Sequence, residues 1–341
     1  TTSGGGGGAG ATGASNSSSS SPMRPASSTV QTWTPVIRLA MNGGKPTFGA
    51  SFTVAGQVLN QFSLDEYEGH LRVATTTGQT WDGTSSNNLY VYDLAGNLTG
   101  SLLGMAPGER IYSVRYDGAR AYLVTYKQVD PLFAVDLTDP AHPAMLGELK
   151  LPGVSDYLHP VNHTHLLGLG RAQAASGPGR LSGLQMSLFD LTDATRPALA
   201  AQVNFGSTSS YSAALSDHKA FMFEGTTGAI VVPFSDYTAA DGYSDGAYLF
   251  ALDGPRLSQR LVLSHALRAG AAAGGYGFAY SPSGPRSVAR SRVLRRWLFT
   301  VSEREVQAHD LSSLTLAARF NTSYPNCSQA NGGGWWGPLV Y

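Results

Sequence analysis

The sequence predicts an all-β fold, a β-propeller of four-stranded antiparallel blades with five full blades and one partial, about six in all. Three observations carry that expectation. A strand ending in Asp, a polar turn and a second strand recur as LYVYDLAGNLTGSL from Leu89, LFAVDLTDPAHPAMLGEL from Leu132 and MSLFDLTDATRPALAAQV from Met186. Weaker copies are YLFALDGPRLSQRLVL from Tyr248 and VQAHDLSSLTLAARF from Val306. The marker residues Asp93, Asp136, Asp190, Asp253 and Asp310 are spaced by 43, 54, 63 and 57 residues, a period that fits four-stranded blades with loops of unequal length. Helical periodicity is almost absent: Leu267 to Gly275 is Ala/Gly-rich without an apolar stripe and reads as loop.

Taken in order, residues 1–28 are Gly/Ser-rich, with Met23 as the one sizeable apolar side chain, and read as a disordered tether. Residues 29–321 read as the propeller. WTPVIRLAM and PTFGASFTV form a first hairpin, the third and fourth strands (C and D) of a blade. The five repeats then supply C–D hairpins, and the intervals between them supply inner strands A and B. These are NQFSLDEY with HLRVATT, IYSVRY with AYLVTY across Asp117-Gly118, DYLHPV with HLLGLG, SYSAAL with KAFMF, and VARSRVL with WLFTVS. Residues 322–341 read as an irregular tail that offers at most one closing strand. An arc of blades exposes strand edges, so either shared terminal strands close it or further blades do.

Composition narrows the function. Lys+Arg 23 balances Asp+Glu 23 and charged residues are 13%, so the chain lacks the basic field that nucleic acid or an anionic membrane would need. No run of 18 apolar residues is present, and no transmembrane segment is expected. No G-x-S-x-G elbow, P-loop or strand-associated G-x-G-x-x-G occurs. TTTGQTW near Trp81 has Thr76 where a sialidase Asp-box carries Asp, and it occurs once. The single Cys327 excludes an internal disulfide and reads as an unpaired tail thiol. Sequons stand at Asn16, Asn97, Asn162, Asn321 and Asn326, a weak pointer to a secreted glycoprotein.

The phrases QFSLDEYEGHLRVATTTG, APGERIYSVRY, AYLVTYKQVDPLFAVDLTDP, LGELKLPGVSDYLHP and YSAALSDHKAFMF carry a family likeness from about Gly43 to about Leu316. In them the chain resembles secreted proteins with a C-terminal β-propeller distantly related to WD40 repeats. Members of that family carry more blades upstream, where this chain has its Gly/Ser stretch. The resemblance implies an extracellular or cell-envelope location and transfers no catalytic residue.

Candidate site residues follow from the blade alignment. Asp65, Arg115 and His159 fall at one level of the inner strands, with Ala214 in the fourth copy. A carboxylate, a guanidinium and an imidazole facing one channel could bind a polar ligand; equally, they could pair with one another and hold the blades together. Asp65, Asp130 and His159 are the candidates for catalysis, as a glycan or peptide hydrolase would need titratable groups in mutual reach. Asp139 and Asp193 read as turn-formers that accept backbone N–H groups. His159, His163 and His165 with Asp156 upstream do not supply a predictable zinc set, and Asp217-His218-Lys219 reads as a solvated A–B turn. Asp236, Asp241 and Asp245 could hold Ca²⁺, though without the spacing of an EF-hand, and no other cofactor is expected. Tyr237, Tyr243 and Tyr248 in the same stretch read as a loop surface for contact. Arg286, Arg290, Arg292, Arg295 and Arg296 read as a solvated strand face, with an anionic partner as the alternative. Unequal B–C connections at Gly78–Asn87, Lys127–Pro131, Arg171–Gly183 and Glu224–Gly246 build one irregular face. Function is therefore expected in a non-catalytic module that binds or scaffolds a protein or glycan through that face, with the hydrolase as the alternative.

Overall fold

The structure is a computed structural model, and it describes residues 32–126, 130–177, 180–238, 242–265, 288–303 and 305–322. The tether, Cys327, Asp241 and the Leu267–Gly275 stretch lie outside these residues. All regular structure among the described residues is strand, apart from three short 3-10 turns.

The strands assemble as six sheets in chain order. A two-stranded hairpin, β1 (Trp33–Asn42) and β2 (Lys45–Ala55), comes first. Five four-stranded meanders follow. The first is β3 (Leu64–Tyr67), β4 (His70–Thr77), β5 (Ser86–Asp93) and β6 (Leu98–Met105). The second is β7 (Arg110–Asp117), β8 (Arg120–Tyr126), β9 (Asp130–Asp136) and β10 (Ala144–Leu151). The third is β11 (Val154–Asn162), β12 (His165–Gln173), β13 (Leu181–Asp190) and β14 (Ala198–Phe205). The fourth is β15 (Met222–Glu224), β16 (Ala229–Thr238), β17 (Gly242–Asp253) and β18 (Arg256–Ser264). The fifth is β19 (Arg290–Leu294), β20 (Trp297–Val301), β21 (Glu305–Asp310) and β22 (Thr315–Asn321).

The order of residues explains the layering. Second strands such as β8, RAYLVTY, are buried from Ala121 to Tyr126 because a neighbouring sheet covers each face. Fourth strands such as β10 keep most of their residues partly or fully exposed. Each hydrophobic cluster joins consecutive sheets. Val54 and Phe52 of the hairpin meet Val73 and Tyr92 of the first meander. Leu89 and Val91 then meet Val114 and Leu123, and Tyr122 and Leu132 meet Leu158 and Phe189. Leu184 and Met186 meet Ile230 and Phe250, and Val231 and Leu249 meet Leu298. Among the described residues, no such cluster joins the fifth meander to the hairpin.

The marker aspartates form the turns between third and fourth strands. Asp93 accepts from the N–H groups of Ala95 and Asn97, Asp136 from Thr138, Asp190 from Thr192 and Asp310 from Ser312, at 2.8–2.9 Å. Asp139 and Asp193 do the same for Ala141 and Thr195. These turns also dock on the preceding sheet. A Cβ on Gly100 of β6 would come within 2.4 Å of the Pro140 carbonyl, and one on Gly147 of β10 within 2.5 Å of the Thr195 carbonyl. Glycine there lets each Asp-rich turn seat against the outer strand before it.

The fourth meander departs from the sequence expectation. SYSAAL is not strand A, for Ala213–Leu215 and His218–Ala220 are 3-10 turns capped by Ser212 and Asp217. Strand A is β15, which overlaps the end of KAFMF, and strand B is β16, which contains IVVPFSDY, so the presumed Glu224–Gly246 loop is largely a β16–β17 hairpin. The polar helix-capping residues Ser212 and Asp217 offered the backbone a local alternative to a strand.

Candidate functional site

Two edges of each sheet can be told apart. A–B and C–D turns lie at one, here the lower edge, while B–C and D–A connections gather at the other, the upper edge. Between them, near the inner strands, lies the trio of Asp65, Arg115 and His159.

Register confirms that these three are equivalent. Asp65 opposes Arg72, Arg115 opposes Tyr122 and His159 opposes Leu167. The fourth equivalent is Met222, opposite Val231, and not Ala214, which sits in a 3-10 turn. The three side chains are not partnered with one another. Asp65 is taken by Arg72 of its own sheet, with Nε 2.9 Å from Oδ2 and a second, shorter contact from a terminal nitrogen. The buried Arg72 also donates to the Gly118 carbonyl at 2.6 Å and lies 4.9 and 4.8 Å from the ring centres of Tyr67 and Tyr116. It thus ties the first meander to the second.

Arg115 lies over the ring of Phe62, 5.0 Å from its centre. Phe62 belongs to the 3-10 turn Gln61–Ser63 and packs against Tyr157 and against the edge of His218. His218, expected in a solvated turn, bonds Gln61 at 2.9 Å, so the fourth meander's leading connection reaches the first. His159 bonds the Tyr157 hydroxyl at 3.1 Å and packs on Phe221 and Phe223. Burial first, and then the Arg115 charge, push its pKa down to about 4. The imidazole is neutral near pH 7 and packs against aromatic rings.

The other two histidines of the cluster have separate neighbours. His163 is 3.4 Å from Asp117, and His165 bonds Thr164 Oγ1 at 2.9 Å. Asp130 opens β9 at the upper edge, opposite Leu151, and is a strand residue rather than part of a connection. Asp65 lies near the lower edge, where Arg72 reaches Gly118. Asp65 is level with Tyr122 of β8, and Asp130 lies beside the end of β8 at Tyr126, so four strand residues separate their backbones by roughly 13 Å along the strands and they are not placed as one catalytic pair.

The stretch expected to bind calcium or present tyrosines is strand. Asp236 is buried in β16 and accepts from the Ser207 N–H at 3.1 Å, from the Ser207 hydroxyl and from the Tyr237 N–H at 2.8 Å. Burial would raise its pKa, but the bonds from Ser207, Ser210 and the backbone outweigh it and hold the carboxyl below its ordinary value. Its oxygens serve the connection between meanders. Asp245 stands opposite Ser235, and Tyr243 opposite Tyr237. Tyr248 is buried against Phe205 and Phe234, so of the three tyrosines it belongs to the core. Tyr237 is 51% exposed. The arginine run is engaged in part: Arg290 pairs with Asp217 at 2.9 Å, and Arg296 pairs with Asp310 at 3.3 Å and stacks on Trp297.

A second imidazole site is sealed. His265 bonds Thr300 Oγ1 at 2.8 Å and Ser302 Oγ at 3.0 Å, and lies 3.5 Å from Glu305 Oε1. Its side chain has no exposed surface, so the hydroxyl, imidazole and carboxylate cross-link the fifth meander out of reach of a substrate.

Asp156, weighed in the sequence only as a neighbour of the histidine cluster, stands out in the structure. The β11–β12 register shifts between Ser155 and Tyr157, leaving Asp156 as the extra residue of a bulge at the upper edge. Its Oδ2 is buried and accepts no hydrogen bond, with Arg171 Nε at 3.7 Å. Burial pushes the carboxyl up to about 6, against the pull of Arg171 and Arg110. Arg110, in the neighbouring meander, lies 4.8 Å from the centre of the Tyr112 ring, which meets Tyr126 edge-on at 5.5 Å. A perturbed carboxyl, two guanidiniums and tyrosine rings therefore share this edge. DYLHP gave no cue to it, because a bulge re-aims a side chain without changing the residue pattern.

Relatives share the sequence but not their full extent. An uncharacterized protein of Archaeoglobus fulgidus is 39% identical over 197 residues, which are 58% of this chain and 29% of that protein. An uncharacterized protein of Methanocaldococcus jannaschii is 45% identical over 145 residues, 42% of this chain and 22% of that protein. The chain thus spans less than a third of either relative. The crystal structure of Saccharomyces cerevisiae Sqt1 aligns with a TM-score of 0.48 at 9% identity, over 84% of this chain and 68% of that one. Five four-stranded meanders in series, the half-sheet before them and a family model that matches residues 17–314 agree: the chain belongs to the beta propeller domain family.

Proposed function

We propose that this propeller is a non-catalytic extracellular module that binds a protein or glycan partner at its upper edge. The observation that carries this reading is Asp156: a part-buried side chain, 15% exposed, whose Oδ2 has no hydrogen bond and lies 3.7 Å from the half-exposed Arg171, in the field of Arg110. Such a group gains from a partner that supplies a donor, because an unsatisfied buried acceptor costs about 1–3 kcal/mol. Exposed rings extend the same edge, with Trp81 83% exposed in the β4–β5 connection and Tyr237 near the tip of the β16–β17 hairpin. Rings and guanidiniums on rigid strands supply contact at low entropic cost. The extracellular assignment rests on the family resemblance and on sequons at the exposed Asn97 and Asn162.

A hydrolase would need acid and base groups in mutual reach. Asp65 and His159 are instead engaged by Arg72 and by aromatic rings, which favours binding over turnover. The test is an array of glycans and peptides probed with labelled chain and with the Arg110→Glu/Arg171→Glu variant. Binding that the variant loses at least tenfold supports the reading. Binding that the variant leaves unchanged, or cleavage of a bound member, refutes it.

A further inference from the structure

Where the second and third meanders meet, the upper edge carries more positive charge than its carboxylates offset. Strands β7 and β11 are joined there by the Ser113 hydroxyl, which donates to the Ser155 carbonyl at 2.6 Å. Asp156 follows at the bulge, and Arg110 opens β7 close enough for its charge to act on that carboxyl. Arg171 Nε stands 3.7 Å from Asp156 Oδ2, too far for a hydrogen bond, and its side chain is 45% exposed. Arg110 is exposed as well, and among the described residues it pairs with no carboxylate. Its neighbour Glu109 is committed to the Thr125 hydroxyl. Two guanidiniums thus face one carboxyl, and at least one positive charge is left over.

A bare indole stands on the same edge. Trp81 is 83% exposed, although its loop is held in place. The Ser85 N–H donates to the Gln79 carbonyl and the Gln79 N–H to Thr84 Oγ1, both at 3.1 Å, and the Thr84 N–H donates to Asp82 Oδ1 at 2.9 Å. The loop is also tied to the arginines. The Gly108 N–H donates to the Ser85 carbonyl at 2.8 Å, two residues before Arg110. Chain reach through that bond places the indole on the order of 20 Å from Arg110.

We propose that the upper edge takes a glycan that contains hexuronic acids, with a sugar carboxylate on Arg110 and Arg171 and another pyranose of the same chain stacked on Trp81. This rests on the upper edge being the binding surface, as proposed above. A guanidinium meets a carboxylate in one plane with two hydrogen bonds, which makes the carboxylate the apt anion here. The indole decides between a glycan and an acidic peptide. The C–H face of a pyranose lies flat on an open ring and needs no enclosure, whereas an apolar peptide anchor is held in a pocket packed around it. Trp81 stands open to solvent on a fixed loop. A hexuronate also brings hydroxyl groups beside its carboxylate, and the Asp156 side chain, 15% exposed, is an acceptor within the same cluster. The neutrality of the whole chain suits a local fit of this kind, which needs no long-range field.

Titration calorimetry tests this with oligomers of galacturonate and of mannuronate, with the same oligomers after carboxyl reduction, and with a Glu-rich peptide. The expected result is that one acidic oligomer binds at least tenfold more tightly than its neutral counterpart and than the peptide. Arg110→Gln/Arg171→Gln abolishes that preference, whereas Trp81→Ala weakens acidic and neutral oligomers alike. Equal affinity for the acidic and neutral oligomers overturns the hexuronate assignment and leaves the edge to neutral glycans. Tighter binding of the peptide overturns it in favour of an acidic protein. Failure of every oligomer to bind, while an array ligand is still lost by Arg110→Glu/Arg171→Glu, overturns this proposal alone. Oligomer binding that neither the arginine variant nor Trp81→Ala changes overturns it together with the upper-edge reading.

Discussion

Arg72 is the residue on which the junction of the first two meanders turns. It is 3% exposed, and it serves Asp65, the Gly118 carbonyl and two tyrosine rings at once. Arg72→Met removes the charge while keeping much of the volume, and leaves Asp65 and Gly118 without their donor. Urea denaturation should show a loss of about 3 kcal/mol, the usual scale for breaking a buried ion pair from one side; a loss below about 1 kcal/mol would mean that the rings alone hold the junction. Asp156 predicts the opposite sign. Its folded pKa of about 6 stands above its ordinary value of 3.8, so stability is lost as the pH rises from about 4 and the full cost is reached above about 6. Asp156→Asn should therefore stabilise the fold at pH 7.5, by up to about 3 kcal/mol, while weakening partner binding. A variant that is no more stable would show that Asp156 is already satisfied. The trio of Asp65, Arg115 and His159 was legible as a level in the repeat, since register preserves it. Its pairings were not, because Arg72 and Phe62 reach it from elements that the alignment of inner strands ignores.

At the scale of elements, the repeat was readable wherever the period-two pattern ran into a turn-forming Asp. It failed in the fourth blade, where the long connection from Gly206 to Phe221 holds serines and an Asp that cap 3-10 turns. The true inner strand is only Met222–Glu224, too short for alternation to reveal it. A four-residue hairpin strand is similarly short in β3, but there LDEY sits next to a clear turn at Glu68-Gly69, with both residues at positive φ. The packing of Asp-rich turns on outer-strand glycines was not visible at all, since a glycine in a strand reads as a weak strand residue until its neighbour is known. That contact makes a prediction. Gly147→Val pushes a side chain against the Thr195 carbonyl and Pro197, and should cost about 1–3 kcal/mol. Gly69→Asn, at a turn with nothing within 4 Å of a Cβ, should cost less than half as much in the same thermal unfolding series.

Across the whole molecule, acid weakens the fold. His159 and His309 are each pushed down to about 4, in both cases by burial first, with Arg115 acting on the former and His265 and Arg319 on the latter. The unfolded chain protonates such histidines below about pH 6.5, so their contribution is complete above that value and is lost as the pH falls toward 4. Asp156 works against them in the window between 3.8 and about 6, where its neutral form favours the fold. Two histidines outweigh one carboxyl, so Tm should drop between pH 6.5 and 4, and it should drop more steeply in Asp156→Asn. A flat profile would place the imidazoles in water. The central claim concerns where the molecule binds, and hydrogen exchange with and without the strongest glycan or peptide from the array addresses it most directly. The account predicts protection at residues 106–112, 152–156, 171–174 and 235–238, all at the upper edge, with the ligand recovered intact. Protection confined to the turns at 117–120 and 162–165, or a cleaved ligand, would contradict it.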